Sequence, residues 1–385
     1  MSSGAPTEAS STSTDASASI SRGRAVFDTL PAPITSCLPP PPLRPVTATL
    51  EATYPLRLHV PKRAAATDSL QHPRSTGGDV PSLRSACQWL YVLNYGAGLV
   101  AGDCIDLQVE VRGAASALVT TQGYGMVYHG RGSSETIVPS GQRMTCRVSP
   151  RGFLALVPHP IICFRDAHFK QHQHITVEYI PRPADDPSAS DTRRPFSPHE
   201  CGSVVLLDWI VAGRVASDEL WAFFAYETTN VIHLQHAGAV APDTPTPNNP
   251  TPLPLFRDSV KLSSTPTLPL THAMAAYRLL AIIVLFGPAV EELANRLLTE
   301  LSRKRPHSGG ATVVCADGLL VNASGVYVEE RGGEVRLRSG GLGGAGGRAH
   351  GVVIRLAASE PREGMSEVER LLGPLWDSVG GNPLK

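Results

Sequence analysis

Glycines crowd one short stretch of this 385-residue chain, where Gly96, Gly98 and Gly102 precede Asp103 in the segment GAGLVAGD. A glycine-rich turn after a strand can cradle a pyrophosphate, but only where it opens a helix whose amino terminus faces the phosphates. Here the residues that follow alternate: Ile105, Leu107, Val109 and Val111 are interleaved with Asp106, Gln108 and Glu110, the period of a half-buried strand. The spacing also departs from GxGxxG. The turn therefore reads as a tight connection in which glycines supply positive backbone torsions and Asp103 bonds backbone amides at the exit. A second group able to do chemistry is His168, His172 and His174. Residues two apart on a strand share a face, so His172 and His174 can both reach one metal ion, and imidazole suits Ni(II). A solvent-facing strand surface accounts for the same residues without a ligand. No nucleophile elbow, HExxH or P-loop occurs in the sequence, so GTP hydrolysis is not a chemistry of this chain's own residues.

Composition narrows the function classes further. Lysine plus arginine balances aspartate plus glutamate at 34 each, which leaves no long-range field to gather nucleic acid or an anionic membrane surface. Cys37, Cys87, Cys104, Cys146, Cys163, Cys201 and Cys315 are scattered, form no CxxC pair and are odd in number, the pattern of reduced, mostly buried thiols in a cytoplasmic protein. No basic segment followed by an apolar run stands at the amino terminus, so no secretory signal is expected. The most apolar run, from Leu279 to Val290, is too short to cross the roughly 30 Å hydrocarbon layer.

With 35 glycines and 34 prolines interrupting the chain, short strands joined by turns are expected to dominate. Strands are predicted at 89–93, 105–111, 116–121, 143–148, 153–157, 169–179, 204–211 and 221–234. Their spacing of about ten residues points to a mainly β fold of stacked or β-helix-like layers of short strands, with a small helical region near the C-terminal third. Residues 1–44, rich in Ser, Thr, Ala and Pro, read as a disordered tail ahead of a β-rich domain over 45–380. Similar composition at about 181–198, 242–254 and 340–347 reads as low-complexity insertions. Apolar residues at three- and four-residue spacing predict helices over about 273–303, split at Gly287 and Pro288. In this region Leu279, Ile283, Leu293 and Leu297 form a stripe suited to partner docking. A further helix is expected over 366–379, with Ser366 as its cap and Glu369 three residues on.

A family resemblance emerges from the order of several segments. YPLRLHVPKR (54–63), YVLNYGAGLVAGD (91–103) and ALVTTQGYGMVY (117–128) follow one another as in urease accessory proteins of the UreD/UreH family. PHPIICFRDAHFKQHQ (158–173) and LLDWIVAGRVASDELWAF (206–223) resemble the Pro-x-Pro, Gln-x-Gln and Gly-Arg segments of that family. The residues carrying the likeness are Gly96, Gly98, Gly102, Thr120, Thr121, Gln122, Pro158, Pro160, Gln171, Gln173, Gly213 and Arg214. The sequence departs from the pattern at Ala97 and Asp218, where glycine is usual, at Met126, where lysine is common, and at His159, where aspartate is common.

The resemblance implies a non-enzymatic scaffold and metallochaperone in nickel insertion into apo-urease. It also implies a UreF-like accessory protein and a UreG-like GTPase as partners, with Ni(II) carried transiently and no cofactor tightly bound. Asp103 and Glu219 match carboxylates of the family's motifs and by resemblance line an internal nickel path, with His159 replacing a carboxylate ligand. Both acids can equally be amide-capping groups in turns. Two rival classes stay open: a β-helix-type carbohydrate-active hydrolase using Asp103 and Glu219, and a metal-free protein-interaction scaffold.

Overall fold

The computed structural model describes residues 19–30, 44–61, 87–96, 98–129, 138–180, 201–238, 252–265, 267–303, 313–315, 318–331, 334–337 and 348–385. In chain order the strands begin with β1 (Ile20–Leu30), β2 (Arg44–Ala52), β3 (Leu56–His59), β4 (Cys87–Asn94), β5 (Gly98–Leu99), β6 (Cys104–Val111) and β7 (Ser116–Thr121). Next come β8 (Gly125–Val127), β9 (Ser140–Val148), β10 (Phe153–Leu156), β11 (Ile161–Cys163), β12 (His168–Tyr179), β13 (Ser203–Val211), β14 (Ala225–His236) and β15 (Leu253–Ser263). The last third holds α1 (Leu270–Ala273), β16 (Leu279–Phe286), α2 (Glu291–Arg303), β17 (Val313–Cys315), β18 (Leu319–Val326), β19 (Val328–Arg331), β20 (Glu334–Leu337), β21 (Gly351–Ala358) and α3 (Pro361–Val379).

Between β4 and β14 the chain alternates between two sheets. Strands β6, β9, β12 and β14 pair in parallel in the first sheet. Strands β4, β7, β10 and β13 pair in parallel in the second. Each turn of the chain thus adds one strand to each layer, which is the β-helix-like stacking expected from the sequence. Further strands extend both layers, antiparallel except for β1, which joins β6 in parallel, giving the orders β15-β14-β12-β9-β6-β1-β2 and β17-β18-β21-β16-β13-β10-β7-β4-β3.

Residue parity explains the layering. In β6 the alternating Ile105, Leu107, Val109 and Val111 are buried between the sheets. The opposite face of the first sheet is polar and carries cross-strand ion pairs such as Arg24–Glu110 at 2.9 Å and Arg147–Glu178 at 2.6 Å. The second sheet is covered on both faces. In β13, Val204, Leu206 and Ile210 pack between the sheets, whereas Val205, Leu207 and Trp209 pack in a second core with Leu297 of α2 and Leu371 of α3. A strand buried on both sides must be apolar nearly throughout, as β13 is.

The same constraint corrects the helical reading of 273–303. Leu279–Phe286 is the strand β16, antiparallel to both β13 and β21, and only α1 and α2 in this region are helical. With a core on each face, β16 has no polar positions to reveal a period of two, so its apolar run mimics a helix. Leu279 and Ile283 are buried in it, and on α2 Leu297 is buried against the sheet with Leu293 partly so. The docking stripe Leu279, Ile283, Leu293 and Leu297 is therefore core.

Two further corrections follow. Ile20–Leu30, inside the expected tail, is a strand paired in parallel with β6 and antiparallel with β2, and Ala25, Val26 and Phe27 are buried. Helix α3 starts at Pro361, whose missing N–H costs nothing in a first turn, and not at Ser366. The insertions at 181–198 and 340–347 lie outside the described residues, as does 242–254 except for 252–254, of which 253 and 254 begin β15. Cys146 and Cys163 are fully buried thiols whose pKa values burial pushes far up, in keeping with their reading as small hydrophobes. No helix among the described residues is long and apolar enough to cross a membrane.

Because Ile283 is fully buried in the second core, Ile283→Ala is expected to cost about 2–5 kcal/mol in chemical denaturation. A cost below about 1 kcal/mol would contradict its placement in a central strand.

Candidate functional site

One carboxylate stands where β13 should bury a leucine. Asp208 shares the parity of Val204, Leu206 and Ile210, is only 7% exposed, and faces the first sheet. Gln171 Nε2 on β12 donates to its Oδ1 at 3.1 Å, and Asn230 Nδ2 on β14 donates to its Oδ2 at 2.6 Å. Burial pushes the Asp208 pKa up, against the lowering by hydrogen bonds from Asn230, Thr228 and Gln171, and the charge of Asp258 adds to the rise. Gln171 and Gln173 are both buried on the inward face of β12, which accounts for the Gln-x-Gln spacing: residues two apart reach the same interior.

A cavity of about 570 Å³ opens beside this group, with Asp208, Gln171, Gln173, Thr120, Thr121 and His159 in its wall. A second cavity of about 370 Å³ is lined by Thr228, Asp258 and Arg355, and again by Asp208 and Trp209. Arg355 Nη2 lies 3.0 Å from Asp258 Oδ1 there. Asp208 thus stands between two cavities, with Trp209 beside it in the lining of both.

The turn between Pro158 and Pro160 holds His159 at the first cavity. Trp209 Nε1 donates to Pro158 O at 2.9 Å, and Gly125 N donates to Pro160 O at 3.0 Å. His159 N donates to Thr121 Oγ1 at 3.0 Å, and Nδ1 lies 3.0 Å from Thr121 O. A carbonyl can only accept, so Nδ1 carries the proton and Nε2 keeps its lone pair. Burial lowers the His159 pKa and so favours the neutral form, while the bond to Thr121 opposes it in part. Asn94 Oδ1, in the same wall, is a buried acceptor without a hydrogen-bond partner among the described residues. Gln122 and Met126 also line this cavity.

Asp103 and Glu219 are held elsewhere. Asp103 Oδ2 accepts from Val100 N at 3.2 Å and Oδ1 from Ser19 Oγ at 2.9 Å, the amide-capping arrangement of a turn residue. Gly96 and Gly102 supply φ values of 90° and 86° around that turn, while Gly98 lies where a Cβ would meet Met126 O at 2.6 Å. Ala97 lies outside the described residues. Glu219 is clamped by Arg214, with Nε at 2.9 Å from Oε2 and Nη2 at 2.6 Å from Oε1, and Arg165 N adds a bond at 3.4 Å. Gly213 has φ 126° and the backbone of Glu219 packed where a side chain would sit, so this loop admits only glycine. The two acids share no partner and neither lines either cavity, so the carboxylate pair of a glycosidase is not assembled from them. Of the three histidines, His172 and His174 lie exposed on the outer face of the first sheet, away from the interior.

Sequence reading missed Asp208, Thr228 and Asn230. The available signal was a lone acid inside the apolar strand VVLLDWIV, where an unpaired charge is costly enough to require partners.

Arg214 holds the Glu219 carboxyl below its usual range, so its stabilisation is present at neutral pH and lost as pH falls through the lowered pKa. Glu219→Gln is expected to lower Tm by a few degrees at pH 7 and to flatten the acid limb of a Tm-against-pH curve. An unchanged acid limb would contradict the clamp. Asp218 carries a positive φ of 55°, a conformation that glycine adopts without strain. Asp218→Gly should leave stability unchanged or raise it by up to about 1 kcal/mol in urea unfolding.

Comparison with known proteins places this arrangement in a family. The model of the UreD urease accessory protein family matches residues 43–181 and 196–383, well over half of the chain. The urease accessory protein UreD of Anaeromyxobacter sp. (strain Fw109-5) is 28% identical over 253 residues, covering 65% of this chain and 71% of that protein. Urease accessory protein D of Oryza sativa subsp. indica is 27% identical over 252 residues, covering 66% and 64%. Urease accessory protein 4 of Cryptococcus neoformans var. grubii is 29% identical over 205 residues, covering 49% of this chain and 52% of that protein. The chain thus spans about half to somewhat over two thirds of the length of these relatives. With the family model matching most of its length, the chain belongs to the UreD family of urease accessory proteins.

Proposed function

We propose that this chain is a non-enzymatic scaffold and metallochaperone in urease maturation, and that Ni(II) bound for apo-urease passes through the interior beside Asp208. The observation that carries the reading is the position of Asp208: a buried carboxylate, supplied with amide donors, stands between two cavities. A divalent ion cannot cross an apolar core, because its hydration is lost without return. A seam of carboxylate and amide groups offers it charge compensation and acceptors for its remaining waters. Asn94 Oδ1, as an orphan acceptor, and the His159 Nε2 lone pair add donors for the ion or its waters at the first cavity. Asp103 and Glu219 serve this route by fixing its turns.

In this reading the partners are a UreF-like accessory protein, a UreG-like GTPase that supplies the nucleotide chemistry this sequence lacks, and apo-urease, all in the cytoplasm. Nickel is cargo and is bound only in passing.

The test replaces Asp208 by Asn and, separately, by Leu, and measures urease protein and urease nickel independently in cells. The expected result is normal urease protein with nickel reduced at least tenfold, and the variant chain still captured with its partners. Full nickel loading in both variants would overturn the route. Complete failure of the wild-type chain to associate with the accessory proteins, all soluble, would overturn the scaffold. Because burial raises the Asp208 pKa, protons compete with the ion at this site. Transfer in a reconstituted assay should therefore fall with acidification from a pH above the ordinary carboxylate range, and Asp208→Asn should remove that dependence.

A further inference from the structure

We propose that His174 and His233 form a divalent-metal site, of a kind suited to Ni(II) or Cu(II), on the outer face of the first sheet. The site is independent of the interior route. Strands β12 and β14 are parallel with His174 opposite Val231 and Thr176 opposite His233, so the two histidines stand diagonally on adjacent strands. Both belong to the outward parity of their strands. Their rings meet edge to face, with centroids 5.0 Å apart and planes at 76°, and His174 Nε2 lies 2.8 Å from His233 Nδ1.

With metal–nitrogen bonds of about 2.0–2.1 Å, two nitrogens at right angles on one ion sit about 2.9 Å apart, whereas tetrahedral ligands sit about 3.4 Å apart. The hydrogen-bonded pair is within reach of either spacing, and its imidazole nitrogens suit Ni(II) and Cu(II). For both lone pairs to meet one ion, the rings turn about their Cβ–Cγ bonds and the donor ring's proton moves to its other nitrogen. The strands stay in place. Burial lowers the pKa of each histidine, and for His233 the charges of His174 and Arg257 lower it further, so both rings are neutral and able to ligate at pH 7.

Water completes the shell, since among the described residues no group of three or more His, Cys, Asp or Glu side chains could hold a metal. Arg257 disfavours a cation nearby, which keeps the affinity moderate. His172 shares the face but lies in register with Arg143, so the expected His172–His174 pairing is replaced by His174 with His233.

The test is titration of the tag-free full chain with NiCl2 and with CuCl2 by calorimetry, and electron paramagnetic resonance of the Cu(II)-loaded chain. Wild-type chain should show a site whose Cu(II) spectrum carries nitrogen hyperfine structure from two imidazoles. His174→Gln and His233→Gln, both at surface positions and checked by circular dichroism, should each weaken that site at least tenfold. His172→Gln should leave it unchanged. Binding and spectra unaltered in both pair variants, or no nitrogen hyperfine structure in the wild type, would overturn the site. Urease activation is not the readout, so failure of the interior route leaves this test standing.

Discussion

A carboxylate buried in a sheet sandwich must be surrounded by donors, and satisfying Asp208 sets what the neighbouring strands can be. Removing an ionised group from water costs far more than one apolar contact returns, so its oxygens need hydrogen bonds from both flanking layers. Gln171 and Asn230 provide them from two adjacent strands of the opposite sheet. That requirement fixes the register of β12 and β14 against β13, because a slip by one residue would turn these amides outward and leave the charge bare. The polar seam and the fold are thus one design.

The coil makes such a seam possible. Each turn of chain contributes one strand to either sheet, so residues far apart in sequence face each other at the same height across the core. The connections between strands gather at the same places, and there the Pro158–Pro160 turn, anchored by Trp209 and Thr121, brings His159 to the cavity wall. The Arg214–Glu219 clamp fastens another connection, with Arg214 also stacked on Phe164 at 4.1 Å. These charged groups serve the site by holding loops.

Much of this was legible in the sequence where one face of a strand is wet. The alternation in β6 gave its strand nearly to the residue, and the glycine turn before it excluded a nucleotide loop. Where both faces are covered, the signal vanished: Leu279–Phe286 is apolar throughout because two cores meet on it, and a run of that kind reads equally as helix. Ile20–Leu30 was hidden for the opposite reason, since Arg22, Arg24 and Asp28 interrupt it and its buried large apolar residues, Val26 and Phe27, are few where it lies between β2 and β6. Family motifs pointed to Asp103 and Glu219, whose carboxylates are held by turn amides and by Arg214, while Asp208 lay inside an apolar strand without a motif to mark it. The His174–His233 pair lay beyond sequence reading, because parallel pairing joins residues 59 apart.

The account stands on whether a nickel ion reaches the seam beside Asp208. Ni(II) is paramagnetic, so the side-chain amide signals of Gln171 and Asn230, the donors to Asp208, report its approach in a nuclear magnetic resonance titration of the full chain without a tight site. The account predicts that both signals broaden with added Ni(II) and that Mg(II) at the same ionic strength leaves them sharp. Signals that stay sharp while those of the outer-face histidines broaden would contradict it.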